Sequence, residues 1–199
     1  MRFIATVFLA ALPLATNAQE VIGSVTLDGR EVILYADQSW EYGSDDGAET
    51  CETIARKVDF CGTDAGWERT LAPNADITAT YRFDDRHYGQ MIVEELGVAD
   101  GLTDEFMRDV VIETAASVIG GNVDDVDVIE TYWNEVSSRR IPTIVYAFNI
   151  DGLDVVYANG IRTAPNRTMQ LMTFSIGTEF TQRHRDLHEA FLSQIRIAK

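Results

Sequence analysis

The sequence predicts an α+β fold: a curved antiparallel sheet packed by two helices, preceded by a small N-terminal β-meander. Three observations carry that expectation. Residues 126–136, 141–150, 153–162 and 168–176 form apolar or alternating runs separated by turn signals such as Asp151-Gly152 and Pro165-Asn166-Arg167. Residues 103–119 and 179–197 repeat their apolar side chains at helical spacing. The order of strand pair, helix, antiparallel meander and final helix keeps strands together in runs, which is the α+β pattern.

The elements follow in order. Arg2, the apolar run Phe3 to Leu12, the helix breaker Pro13 and the small residues Thr16 and Ala18 make residues 1–18 a signal peptide, cut after Ala18. The run is shorter than the ~20 apolar residues a spanning helix needs. The expected location is therefore periplasmic or secreted, with no membrane span. Residues 19–42 read as the meander: VIGSVTL, a turn at Asp28-Gly29, REVILYA, a turn at Asp37-Gln38, then SWEY. Three strands this short need a docking surface, and Trp40 and Tyr42 are the groups expected to be buried by it. Residues 43–50 (GSDDGAET) form a linker, and residues 51–199 the main domain, irregular through Gly66-Trp67. There Ile77 to Phe83 alternates as a half-buried strand, the chain turns at Asp84 to His87, and Gly89 to Leu96 supplies its partner. Thr103 caps the first helix, whose expected stripe is Phe106, Val110, Val111, Ala115 and Val118, ended by Gly120-Gly121. The last helix is expected to bury Phe180, His184, Leu187, Phe191 and Ile195.

Charge excludes two partner classes. The chain has 16 Lys+Arg against 32 Asp+Glu, a formal net charge of −16, and loss of Arg2 with the signal peptide makes it −17. Such a chain repels nucleic acid and anionic membrane surfaces, whose binding depends on Lys/Arg contacts to phosphate. The two cysteines, Cys51 and Cys61, are an isolated pair close in sequence. In an oxidising compartment they are expected to form a structural disulfide, since no Cys-x-x-Cys spacing supports a redox role.

A family resemblance rests on the same residues. An irregular lead-in ending in Gly66-Trp67 precedes a strand pair, a helix and a long meander. The meander closes with MQLMTFSI before the final helix FTQRHRDLHEAFLSQI. This order resembles the PsbP-like α/β sandwich over residues 51–197. The resemblance implies an accessory or binding role in preference to an enzymatic one. DGREVILYADQSWEY is similar to a short strand module common after signal peptides, with Gln38 where glycine is usual.

Candidate chemistry is sparse. His184 and His188 stand at i and i+4 on one helix face, with Glu189 beside them, a spacing that can hold one metal ion. Arg185, however, occupies the place of a zincin's general base, and Arg183 and Arg185 oppose a cation. Asp124, Asp125 and Asp127, or Asp84 and Asp85, offer oxygen ligands for calcium but miss its loop pattern, so a solvated acidic edge is expected. No Gly-x-Ser-x-Gly elbow exists, and His87 has no recognisable nucleophile partner. Glu94-Glu95 would point to opposite strand faces, and Asp45-Asp46 sit in the linker. The aromatics Trp67, Tyr81, Phe83, Tyr132, Trp133, Tyr146, Phe148 and Tyr157 are expected in the core. Some of them can line a groove between sheet and helix, where a small apolar ligand or a partner segment would sit. The expected function is an exported accessory or binding protein without catalytic activity or cofactor, contacting a partner protein or small ligand. The alternative is a metal-binding protein or metal-dependent hydrolase using His184 and His188.

Overall fold

The computed structural model describes residues 21–27, 30–42 and 50–198. The signal-peptide segment 1–18, the Asp28-Gly29 turn and residues 43–49 of the linker lie outside them. The chain divides into two units, 1–48 and 49–199.

The first unit contains an antiparallel three-stranded meander: β1 (Val21–Leu27), β2 (Arg30–Tyr35) and β3 (Trp40–Tyr42). Its register pairs Val25 with Val32 and Leu34 with Trp40. The second turn depends on a left-handed residue, Gln38 at φ +70°, and on Asp37, whose carboxylate accepts the Ser39 N–H at 2.9 Å. Val32 is buried and Trp40 is 57% exposed.

The second unit has two sheets. The large one is antiparallel throughout. It is built from β6 (Glu68–Thr70), β7 (Ala79–Arg82), β8 (His87–Glu94), β9 (Asp127–Val136), β10 (Arg139–Ile150), β11 (Leu153–Ala164) and β12 (Arg167–Ile176), in the order β6-β7-β8-β12-β11-β10-β9. The small one is β13-β5-β4, formed by β4 (Glu52–Ala55), β5 (Val58–Phe60) and β13 (Ile195–Ile197). Its hairpin is closed by the Cys51–Cys61 disulfide. Residues 51–67 are therefore more ordered than the irregular lead-in expected from sequence. Reducing the bond, or replacing both cysteines by serine, should lower stability by about 2–3 kcal/mol through the freed loop entropy of the unfolded chain. Urea unfolding of the oxidised and reduced protein checks this.

The long hairpin is held in register by its turn. Asp151 (φ +51°) and Gly152 (φ +85°) are both left-handed, as a tight two-residue turn requires, and Asn149 Oδ1 accepts the Gly152 N–H at 2.9 Å. Ile150 then faces Leu153, and strict alternation sends neighbouring residues to opposite faces.

Each face has its own core. Helix α2 (Gln182–Ser193) places Phe191 and Leu192 against Met91, Ile141, Met169 and Leu171, together with Val58, Phe60 and Ile195 of the small sheet. Helix α1 (Asp104–Val118) packs the other face, where Met107, Val111 and Ala115 meet Ile144, Tyr146 and Ile161. Thr103 caps α1 as expected: its hydroxyl accepts the Phe106 N–H at 3.2 Å.

Two helix expectations are corrected. The buried stripe of α1 runs through Met107, Val111 and Ala115, while Phe106 and Val118 are 51% and 56% exposed. Helix α2 stops at Ser193, because Ile195–Ile197 pairs with Val58–Phe60 as a strand. No helix among the described residues is long and apolar enough to cross a membrane.

Candidate functional site

Among the described residues, two of the concave regions that border the large sheet gather the candidate side chains. The first, about 640 Å³, is an open cleft between the β7–β8 turn and the start of α2, lined by Asp84, Arg86, His87, Glu179, Arg183 and His184 among others. Asp84 organises the turn. Its Oδ1 accepts the N–H groups of Arg86 (2.9 Å) and His87 (3.0 Å), and lies 2.7 Å from His87 Nδ1. Arg183 approaches Oδ2 at 3.4 Å. Partial burial pushes the Asp84 carboxyl upward, but the bonds from Arg86 and His87 outweigh it and hold the group below the usual carboxylate range. An ionised carboxylate only accepts, so His87 Nδ1 carries a proton and donates it to Asp84. Among the described residues no hydroxyl or thiol hydrogen-bonds this ring.

His184 lies across the cleft, its ring centroid 5.5 Å from that of His87. Its Nδ1 accepts the Thr181 N–H at 3.0 Å, which caps α2 and occupies that nitrogen. Burial first, and the His87 charge second, hold its pKa below the ordinary histidine range.

His188 is placed differently. It is 0% exposed, on the core face of α2, with Nδ1 3.0 Å from Thr173 Oγ1. Its Nε2 has no hydrogen-bond partner and faces Gly160, where a side-chain methyl would stand 3.6 Å from that nitrogen. Burial, reinforced by the Arg185 charge, pushes its pKa down to about 3. His184 thus belongs to the cleft with His87, while His188 belongs to the core.

The other sequence candidates separate. Asp125 accepts the Asn122 N–H at 2.7 Å and closes a 3-10 turn at 123–125; Asp124 and Asp127 are exposed. Glu95 approaches Arg167 at 3.4 Å, and Asp45-Asp46 lie outside the described residues. Among the described residues, no three His, Cys, Asp or Glu side chains converge in a metal-holding group. The Asp84–His87 contact was missed at the level of sequence. Its signal is an Asp-x-x-His spacing inside a tight turn, where an aspartate oxygen bonds backbone two and three residues on.

The second region is a groove between α1 and the β9–β10 edge of the sheet, with adjoining cavities of about 460 and 190 Å³. Ile112, Val123, Val128 and Ile144 line one; Trp133, Pro142, Ile144 and Ile161 line the other. Asp104, Glu105, Asp109 and Glu113 stand around them, with Arg108 the only cation in either lining. Trp133 is 54% exposed, and the Arg140 guanidinium lies 4.6 Å from its ring centre. Strand β9 is an edge: among the described residues it pairs with β10 alone. Of the aromatics expected in the core, Trp67, Tyr81 and Tyr146 are buried there, whereas Trp133 borders this groove.

Fold and site together define an α+β domain with a helix on each face of an antiparallel sheet and an open groove along one edge. No family model and no curated protein matches the sequence. The chain is similar to the solution structure of cyanobacterial PsbP (CyanoP) from Synechocystis sp. PCC 6803, at 14% identity over 71% of this chain and 87% of that one, with a TM-score of 0.46.

Proposed function

We propose that this chain is an exported accessory protein that binds an extended segment of a partner protein in the α1–β9 groove and catalyses no reaction. The single observation that carries this reading is an apolar groove running beside a ten-residue edge strand that, among the described residues, is paired on one side only. An edge strand offers a row of free N–H and C=O groups to an incoming strand, and a groove beside it gives pockets for alternate side chains. The surrounding charge selects the partner. Four carboxylates against Arg108 in the linings and Arg140 over Trp133 favour a segment that carries Lys or Arg next to its apolar residues. The signal-peptide pattern of residues 1–18 and the Cys51–Cys61 disulfide support a periplasmic or secreted location.

A random-peptide display library selected on the purified chain tests the site. Enriched peptides should alternate apolar with basic residues, and Trp133→Asp or Val128→Arg should weaken them at least tenfold. Enrichment of acidic peptides, or binding that ignores both substitutions, rejects the reading.

A further inference from the structure

The sheet face that carries Gly160 and Met169 ends in three arginines. Arg162 on β11 pairs with Met169 of β12, and Arg167 lies two residues before Met169, hence on the same face. On β10, Thr143 faces Gly160, so Arg139, four residues before Thr143, shares that face with Arg162, two residues after Gly160. Arg167 is thus one diagonal step from Arg162, and continuing the β10–β11 register two residues past the Thr143–Gly160 pair puts Arg139 one diagonal step away on the other side. Diagonal neighbours in an antiparallel sheet are about 7–8 Å apart, within reach of side chains this long.

These guanidinium groups are poorly matched by the protein. Arg162 Nε and Nη1 and Arg167 Nε are shielded from solvent and have no hydrogen-bond partner. Arg167 has one distant carboxylate, Glu95 at 3.4 Å, while Arg139 and Arg162 have no ion-pair partner among the described residues. A chain with 32 acidic residues has ample means to neutralise three arginines, and here it supplies one. Burial, followed by the charges of Arg139 and Arg167, lowers the Arg162 pKa, as expected where like charges crowd without a counterion. Arg139 is exposed and Arg162 partly so, which leaves an anion a way in.

We propose that Arg139, Arg162 and Arg167 form a binding site for a phosphate-type oxyanion. Neighbouring planar guanidinium forks match the several oxygens of a tetrahedral dianion better than they match a single carboxylate. The site lies on the face opposite the α1–β9 groove and stands independently of the function proposed for that groove.

Calorimetric titration of the full chain with inorganic phosphate, at ionic strength held constant with chloride, tests it. One saturable site is expected. Arg139→Gln, at an exposed position that leaves the fold intact, should weaken binding at least tenfold. Arg162→Met should abolish binding and raise the Tm of the phosphate-free protein, because it removes an unpaired, crowded charge. A parallel titration with methyl phosphate separates the two sources: tighter binding than phosphate assigns the site to the phosphoryl group of a larger ligand, and weaker binding to the free ion. No heat beyond the chloride control, or phosphate binding unchanged in Arg139→Gln or retained in Arg162→Met, overturns the proposal.

Discussion

Replacing His188 by leucine should remove a large share of the acid sensitivity of the folded state between pH 6.5 and about 3. The rest of the histidine effect comes from His184, whose pKa is also held low. In the folded protein the ring stays neutral, because burial and the nearby Arg185 charge hold its pKa near 3. In the unfolded chain it takes up a proton near pH 6.5. Between those values the unfolded state binds more protons, so stability falls as pH falls. The slope approaches ~1.4 kcal/mol per pH unit, or about 2–3 kcal/mol between pH 7 and pH 4.5. The loss begins near pH 6.5 and is complete below about pH 3. Asp84 contributes in a lower window, since its depressed carboxyl loses its bonds only when protonated below the ordinary carboxylate range. Urea unfolding of both proteins at pH 7 and pH 4.5 reads the difference. His188→Leu also strands the Thr173 hydroxyl, so the informative quantity is the change between the two pH values. An equal drop in the variant would clear His188 of the effect.

The second large effect lies in the aromatic core. Phe191 is fully buried, with ring centroids 4.8 Å from Trp67 and 5.1 Å from Phe60. It packs directly on the backbone of Gly89, where an added methyl would sit 2.4 Å from Phe191 Cε2. Phe191→Ala should cost about 3–5 kcal/mol through lost burial and the cavity left behind. Gly89→Ala should cost about 1–3 kcal/mol through overpacking. The two should couple: in the double variant the new methyl enters space the ring has vacated, so the combined loss falls short of the sum. Denaturant midpoints of the four proteins complete the cycle, and strict additivity would mean that the two sites do not touch.

Much of the architecture is written in local signals. The left-handed Asp151-Gly152 turn, the Thr103 cap and the alternation across 141–162 each act within a few residues, and the corresponding elements form where local chemistry puts them. The failures are non-local. Phe191 and Ile195 keep helical spacing, but Ile195 joins a strand because Val58–Phe60 offers a ladder to it. The α1 stripe is rotated because Ile144, Tyr146 and Ile161 decide which side of the helix meets the sheet. His184 and His188 share a spacing, yet one caps the helix and the other fills a gap beside Thr173. The three arginines meet only once strand registers are set, and no spacing along the chain announces them.

The pairing of Ile195–Ile197 with Val58–Phe60 also sets an order of events. The hairpin between Cys51 and Cys61 leaves the ribosome first, and its third strand follows about 135 residues later, which at ~5–20 residues per second is a delay on the order of ten seconds, before any disulfide forms in an oxidising compartment. Until then one edge of that hairpin and the aromatic cluster beneath it stay uncovered. Final closure is a long-range event that completes the Phe60–Phe191 core at the same time. Newly made chains therefore pass through a period of exposed apolar surface, when a holdase has most to offer them.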